Sequence, residues 1–386
     1  MPVKKENLFQ SEGFRSVRAA ILTIVIGMLF GLVVLLLVTT PQNAFGAFRE
    51  LITGGFLSMG LNNGIGRMLF YAPSYLMCGL AVGLTFKTGS FNIGACGQFI
   101  IGDVAAIFIC ILGYPVFGSF TWVLALIGAG IAGMLWSMIP AVLLVTRGVN
   151  LILSGMMLNY TIPLICNWAI KSCPAVYDKT ANWTNLIPKG ARIPSGFMAD
   201  LFPGTSANLG IFICIAAALL IYFVFKRTTF GLDMRVCGAN IEAARYAGIN
   251  TGVTSMASLA LSGFMAGVAG AMFVMTGSVH YQISDTALGN GWTGFNVALL
   301  AMSHPIGMVF TSLFVAFLNT GGLYMQAYGL EPEMVDIITS AIIFLCAFTT
   351  VLRGPVHLRL PDLKAAAQRR REKKVRAAAA GEGGER

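Results

Sequence analysis

The chain has 386 residues, 56% of them hydrophobic and only 11% charged, where soluble domains carry about 25% charged residues; water is excluded as its main solvent. The net charge of +10 (26 − 16) collects between and after apolar runs, which reads as an orientation signal in a membrane and not as a nucleic-acid footprint. Histidine occurs only at His280, His304 and His357, too scattered for a metal or catalytic cluster, and the eight cysteines show no C-x-x-C or zinc spacing.

A hydrocarbon core of ~30 Å takes roughly 17–25 apolar residues as a helix. Residues 1–19, with Lys4, Lys5, Arg15 and Arg18, read as a cytoplasmic N-terminus. The run 20–40 exceeds the roughly 7–15 residues of a signal-peptide core and lacks a small-x-small cleavage pattern, so it is expected to stay as the first membrane helix. The further apolar segments are 67–86, 98–115, 119–146, 150–170, 209–226, 252–276, 292–303, 306–323 and 334–352. The segment 292–303 is too short to span alone and follows the Gly- and Ser-containing stretch Thr276 to Gly291, which reads as a broken or re-entrant helix. The expected fold is an all-α polytopic membrane domain over 20–352 with about ten transmembrane helices.

With the N-terminus inside, alternation puts Lys87, Arg147, the group Lys226, Arg227, Arg235 and Arg245, and everything from Arg353 onward on the cytoplasmic side, in agreement with the positive-inside rule. Both termini are then cytoplasmic. The long loop from Lys171 to Leu209 falls outside; it reads as a plain external loop or as a segment ordered against a partner, and Cys173 within it has no evident disulfide partner. The other cysteines, Cys78, Cys96, Cys110, Cys166, Cys214, Cys237 and Cys346, lie mostly in apolar stretches and read as small buried side chains. The basic tail 353–386 is too polar to fold alone and reads as a solvated arm near anionic lipid, or as a regulatory arm.

Gly79-x-x-x-Gly83, and Gly263-x-x-x-Gly267 with Gly270, predict close helix contacts. Thr88-Gly89-Ser90 and Thr276-Gly277-Ser278 echo each other at the ends of two apolar helices on opposite sides, as inverted repeats would require, although three residues are a slender match.

Polar groups at membrane depth are costly unless paired or facing a wet cavity. Asn92, Gln98, Asp103, Asn159, Asn296 and Asn319 are therefore candidates for solute contact, each also readable as interhelical hydrogen-bond glue. Gly89, Gly94 and Gly97 permit a broken helix around the first of them. Asp103, a lone carboxylate, is the residue an ion-coupled secondary transporter would need, and is equally compatible with a neutral side chain. Phe91, Trp292 and Phe295 could stack a planar base or a sugar face, or pack in the core or against lipid.

Between the sixth and seventh segments lies TFGLDMRVCGANIEAARYAGIN, short, charged and Ala-rich, within a cytoplasmic region 227–251. It reads as an ordinary loop or as short surface helices, with Glu242, Ala243, Ala244, Tyr246 and Ala247 offering a small-residue face to another protein's groove. Its Gly231, Arg235, Gly238, Asn240, Ala243, Ala244, Ala247, Gly248 and Ile249 match G-x-x-x-R-x-x-G-x-N-x-x-A-A-x-x-A-G-I. This pattern resembles the coupling-helix region of permease subunits of ABC importers for nucleosides and simple sugars, within the branched-chain amino acid/ribose permease superfamily. FNIGACGQ from Phe91, GWTGFNVALLAMSHPIG from Gly291, and Gly148-Val149-Asn150 with Met157-Leu158-Asn159-Tyr160 resemble further signatures of that family. Cys96 stands where the nucleoside type usually has glutamate, and Ile241 where proline is common, which clouds the subfamily more than the family.

The resemblance implies a type II-like importer permease for nucleosides, or alternatively simple sugars, pairing with itself or a second permease in the bacterial cytoplasmic membrane. It implies an ABC ATPase subunit docked on the 229–250 stretch and a periplasmic or extracellular lipoprotein that delivers solute. ATP would be bound by the partner, because no G-x-x-x-x-G-K-[ST] loop occurs in this chain. Neither H-E-x-x-H nor G-x-S-x-G occurs, and no enzymatic constellation or nucleic-acid-binding motif presents itself.

Overall fold

The computed structural model describes residues 12–54, 56, 60–284 and 289–351. The first eleven residues, positions 285–288 of the expected break and the basic tail lie outside the described residues. The helices are α1 (Glu12–Val38), α2 (Pro41–Thr53), α3 (Leu61–Lys87), α4 (Ala95–Phe117), α5 (Thr121–Arg147), α6 (Leu151–Lys171), α7 (Met198–Leu201), α8 (Gly210–Arg227), α9 (Thr229–Ala239), α10 (Ile241–Tyr246), α11 (Thr251–Val274), α12 (Thr293–Leu300), α13 (Pro305–Met325) and α14 (Pro332–Val351). One small hairpin pairs β1 (Tyr177–Asp178) with β2 (Trp183–Thr184).

Among the described residues, six stretches are long and apolar enough to cross a membrane: Leu61–Lys87, Ala95–Arg147, Leu151–Lys171, Gly210–Arg227, Thr251–Val274 and Pro305–Tyr328. The second runs for 53 residues and comprises α4 and α5, joined by a single 3-10 turn at Gly118–Phe120. A multi-pass membrane protein follows. Helix α12 has only eight residues, about 12 Å of rise, and cannot cross by itself. Helix α2 escaped the hydropathy reading because its apolar residues form a stripe, not a run: Ala44, Ala47 and Leu51 are buried while Phe45 and Ile52 are exposed.

The core is the packing of α3, α4, α5 and α11 on one another. Lipid tails supply no hydrophobic force between helices, so close approach depends on small residues. A Cβ at Gly267 would overlap the Ala129 carbonyl of α5, and one at Gly102 of α4 would overlap the Gly267 backbone. The second glycine stripe receives other elements: a Cβ at Gly79 would meet Val297 of α12 at 2.5 Å, and one at Gly83 would overlap Met308 of α13. Ser74 of α3 donates to the Ala269 carbonyl of α11 at 2.9 Å.

One face of this bundle carries Lys87, Arg147, Arg227 and the α9–α10 pair; the opposite face carries 172–209 and 276–284. The long loop is ordered against the second of these segments of its own chain. Thr184 N donates to the Tyr281 carbonyl and Tyr281 N to Thr184 Oγ1, both at 3.0 Å. Trp183 stacks on His280 with centroids 4.5 Å apart. No disulfide forms among the described cysteines, of which Cys173 alone is only half-buried.

Candidate functional site

Two chain breaks meet inside the bundle. After α3, Gly89 takes a positive φ of 76° and the chain runs irregularly to Gly94 before α4 begins. After α11, Gly277 takes a positive φ of 75°, and the chain returns through Gly291 into α12. Both Thr-Gly-Ser echoes therefore stop a helix through a left-handed glycine. The breaks touch where a Cβ at Gly291 would lie 2.9 Å from Cys96 Sγ, and the Cys78 thiol donates to the Gly291 carbonyl at 3.6 Å. The small Cys96 side chain leaves the room that the Gly291 turn occupies.

The first break is held by a buried polar network. Asn92 and Gln98 exchange amide hydrogen bonds at 2.9 and 3.2 Å, Asn92 also donates to Ser262 Oγ at 2.9 Å, and Ser262 donates to the Ala81 carbonyl at 2.7 Å. Asn159 of α6 accepts from Gly97 N at 2.8 Å and donates to the Ile93 carbonyl at 2.9 Å. Helix termini leave backbone groups unpaired, and lipid offers them no water; Asn159 supplies partners to two such groups where the break meets the start of α4. These three side chains are buried and act as the hydrogen-bond glue of the alternative reading. Asn319 likewise serves packing, donating to Tyr75 Oη at 2.7 Å.

The aromatic candidates do come together. Phe86 stacks on Phe91 with centroids 4.8 Å apart and an interplanar angle of 14°. Phe295 lies 6.0 Å from Phe91 and 5.6 Å from Trp292. Phe91 is 43% exposed and Trp292 40% exposed, so both breaks contribute to one partly open wall of rings. Half-buried Asn296 follows Phe295 on α12. Phe86 was missed in the sequence because it sits within an apolar run; the spacing across the Lys87-Thr88-Gly89-Ser90 break is what pairs it with Phe91.

Asp103 stands apart, two helical turns beyond Cys96 on α4. It is buried and its Oδ1 has no hydrogen-bond partner among the described residues. Among the described residues no group of His, Cys, Asp or Glu side chains could hold a metal ion.

The 229–250 stretch folds as two short helices whose ends its polar residues cap. Thr228 Oγ1 accepts from Gly231 N at 3.1 Å, Asn240 Oδ1 from Glu242 N and Ala243 N at 3.0 and 3.1 Å, and Asn250 Oδ1 from Val253 N at 3.1 Å. Gly248 ends α10 with φ of 80°. Tyr246 is 93% exposed, and Glu242, Ala243, Arg235 and Ala247 are also exposed. Ala244 departs from the expected face: it is fully buried, because α10 packs onto α11. Arg245 pairs with Glu242 at 3.0 Å. Gly231 lies flat on the end of α8, where a Cβ would overlap the Val224 carbonyl, and a Cβ at Gly238 would overlap the Lys87 carbonyl and lie 3.2 Å from Gly89 N. The α9–α10 unit thus rests directly on the start of the first break.

Residues 64–347 match the family described as branched-chain amino acid transport system / permease component. The nucleoside ABC transporter permease protein NupB of Lactococcus lactis subsp. cremoris is 28% identical over 91% of this chain and 95% of its own length. The guanosine ABC transporter permease protein NupP of Bacillus subtilis is 31% identical over 80% of this chain and 91% of its own. The glucose ABC transporter permease protein TsgB13 of Haloferax volcanii is 28% identical over 84% and 85%. No solved structure matches the chain significantly.

Proposed function

The chain belongs to the family of branched-chain amino acid transport system permease components, and from that premise we propose that it forms the membrane passage of a binding-protein-dependent ABC importer for nucleosides. It works without chemistry of its own, in a bilayer it crosses about ten times, α12 being a re-entrant half-helix and both termini lying inside. Two permease chains, alike or related, pair in the cytoplasmic membrane, and an external lipoprotein delivers solute.

The observation that carries this reading is the wall formed by Phe91, Phe295 and Trp292 where the two breaks meet. Such a wall offers flat apolar faces to a purine or pyrimidine, and the Asn92–Gln98–Ser262 network and Asn296 lie beside it. NupB and NupP, whose names specify nucleosides and guanosine, support the cargo. A sugar face would also stack on these rings, and TsgB13 is named for glucose, so simple sugars are the second reading.

Coupling follows from contact. An ATPase groove takes the exposed Tyr246, Glu242 and Ala243, with Arg235 and Asn240–Gly248 shaping the surface. Movement of that unit pulls on Lys87 and Gly89 through Gly238, and so shifts Phe91 against Phe295. Alternating access needs such a bistable element that both the partner and the solute bias. Nucleoside uptake by Trp292→Ala and Phe295→Ala variants tests the wall. Each should raise the KM for nucleosides about tenfold, as stacking worth roughly 0.5–1.5 kcal/mol plus lost burial implies. Unchanged nucleoside KM in both variants would remove the wall from the pathway.

A further inference from the structure

A cavity of about 520 Å3 opens on the face that carries the long loop, well separated along α3 from the aromatic wall at its other end. Its volume lies within the roughly 300–1,000 Å3 of small-molecule sites. The rings of Phe70, Tyr71, Phe273 and Tyr324 line it, and Arg67, from the second turn of α3, is held with its guanidinium 5.7 Å above the Tyr324 ring. Thr205, Ser206 and Ser278 supply hydroxyls from the two loop segments, and the last two are hydrogen-bonded to each other. Gly66 lets Thr205 approach α3 this closely, since a Cβ there would overlap the threonine side chain.

The chemistry of this lining is selective. Arg67 is the one charged group among the described lining residues, and no carboxylate faces it there. A guanidinium only donates, through a planar fork. Flat aromatic walls beside that fork ask for a planar ring whose edge presents two adjacent acceptors. An oxopurine does so with O6 and N7, whereas adenine sets an amino donor next to N7. Thr205 Oγ1 already donates to the Phe202 carbonyl at 2.8 Å, which leaves its lone pairs for a sugar hydroxyl. A phosphate or other small anion would gain a single cation and leave the ring walls unused.

We propose that this cavity is an acceptance site for neutral oxopurine nucleosides such as inosine and guanosine, with Arg67 reading the O6/N7 edge and the Thr205, Ser206 and Ser278 hydroxyls facing the ribose. It rests on the importer reading and adds the class of base that the permease itself prefers.

Equilibrium dialysis of the full-length chain in lipid nanodiscs tests it, with labelled inosine and with adenosine, 7-deazainosine and inorganic phosphate as competitors. Inosine should compete at least ~10-fold better than adenosine and 7-deazainosine, because a bidentate arginine pair discriminates by about that factor. Arg67→Gln and Arg67→Lys should both level the three nucleosides, since lysine keeps the charge and loses the fork. No inosine binding, equal competition by the three in the wild type, displacement by phosphate, or a preference kept by Arg67→Lys would each overturn the proposal. Competition by 7-deazainosine needs no variant, so a misfolded substitution leaves the outcome decided. Nucleoside uptake that depends on this chain, alongside equal competition in dialysis, sinks the cavity assignment alone; absence of such uptake sinks the importer reading instead.

Discussion

Asn159 shows how one side chain can hold a discontinuity inside a membrane. It receives Gly97 N and reaches the Ile93 carbonyl, two backbone groups that the start of α4 would otherwise leave unpaired in lipid. An unsatisfied buried group costs about 1–3 kcal/mol, so Asn159→Leu should lower the melting temperature of the purified chain clearly, while the exposed Asn240→Ala, which loses only a surface cap worth about 1 kcal/mol, should lower it less. Equal melting of the two variants would contradict the role assigned to Asn159. Much at this scale was legible in the sequence. The segment bounds at 146, 150 and 306 were read from the sequence, and the structure puts Gly148 at the end of α5, Asn150 as the cap of α6 with Ile152 N at 2.9 Å, and Pro305 in the first turn of α13. The pairing of Asn92 with Gln98 and Ser262 was not legible, because Ser262 is 170 positions away and serine carries no mark that distinguishes glue from solute contact. Arg67 was read as a segment boundary, which is what a single charge at the edge of an apolar run resembles until Tyr324 is brought beneath it.

At the scale of elements, the α9–α10 unit rests on the first break, the contact through which the proposed coupling would run. Each of the two helices is capped at its start by a side chain three residues or fewer upstream, so the unit is stiff although short. Its close contact with Lys87 at Gly238 is made through the absence of a Cβ. Gly238→Ala should therefore displace the unit from Lys87 and abolish solute-stimulated ATP hydrolysis in the assembled importer while the variant still reaches the membrane; retained stimulation would break the proposed link. The burial of Ala244 separates two substitutions that the sequence treats alike. Ala243→Glu puts charge on the exposed face and should uncouple transport without loss of folded protein, whereas Ala244→Glu buries an unpaired carboxylate and should lower the yield of folded chain. If both variants fold equally well, α10 is turned differently from the way it stands here. Long apolar runs were legible because span length is set by the bilayer, and six such stretches stand among the described residues; α2 was not, since a striped helix lying beside the bundle lacks a continuous apolar run.

For the whole molecule, the arrangement joins the exposed α9–α10 unit on one face, the left-handed turn at Gly89 beneath it, and a wall of rings contributed by both breaks. Composition and span length made the membrane class legible from sequence, and the glycine stripes made close contacts of α3 and α11 legible, though not which helices they meet. How the breaks fit together was not, because it depends on Gly291 finding Cys96 and Cys78 across 195 and 213 positions. The most direct test is the uptake of labelled nucleosides by cells lacking this chain, complemented with it in the presence of either an active or a catalytically dead ATPase partner. The importer reading predicts nucleoside uptake that returns with the chain and the active ATPase and vanishes with the dead one. Uptake that persists with the dead ATPase would contradict it, and would turn attention to the unpartnered Asp103 carboxyl oxygen as the ion site of a secondary carrier.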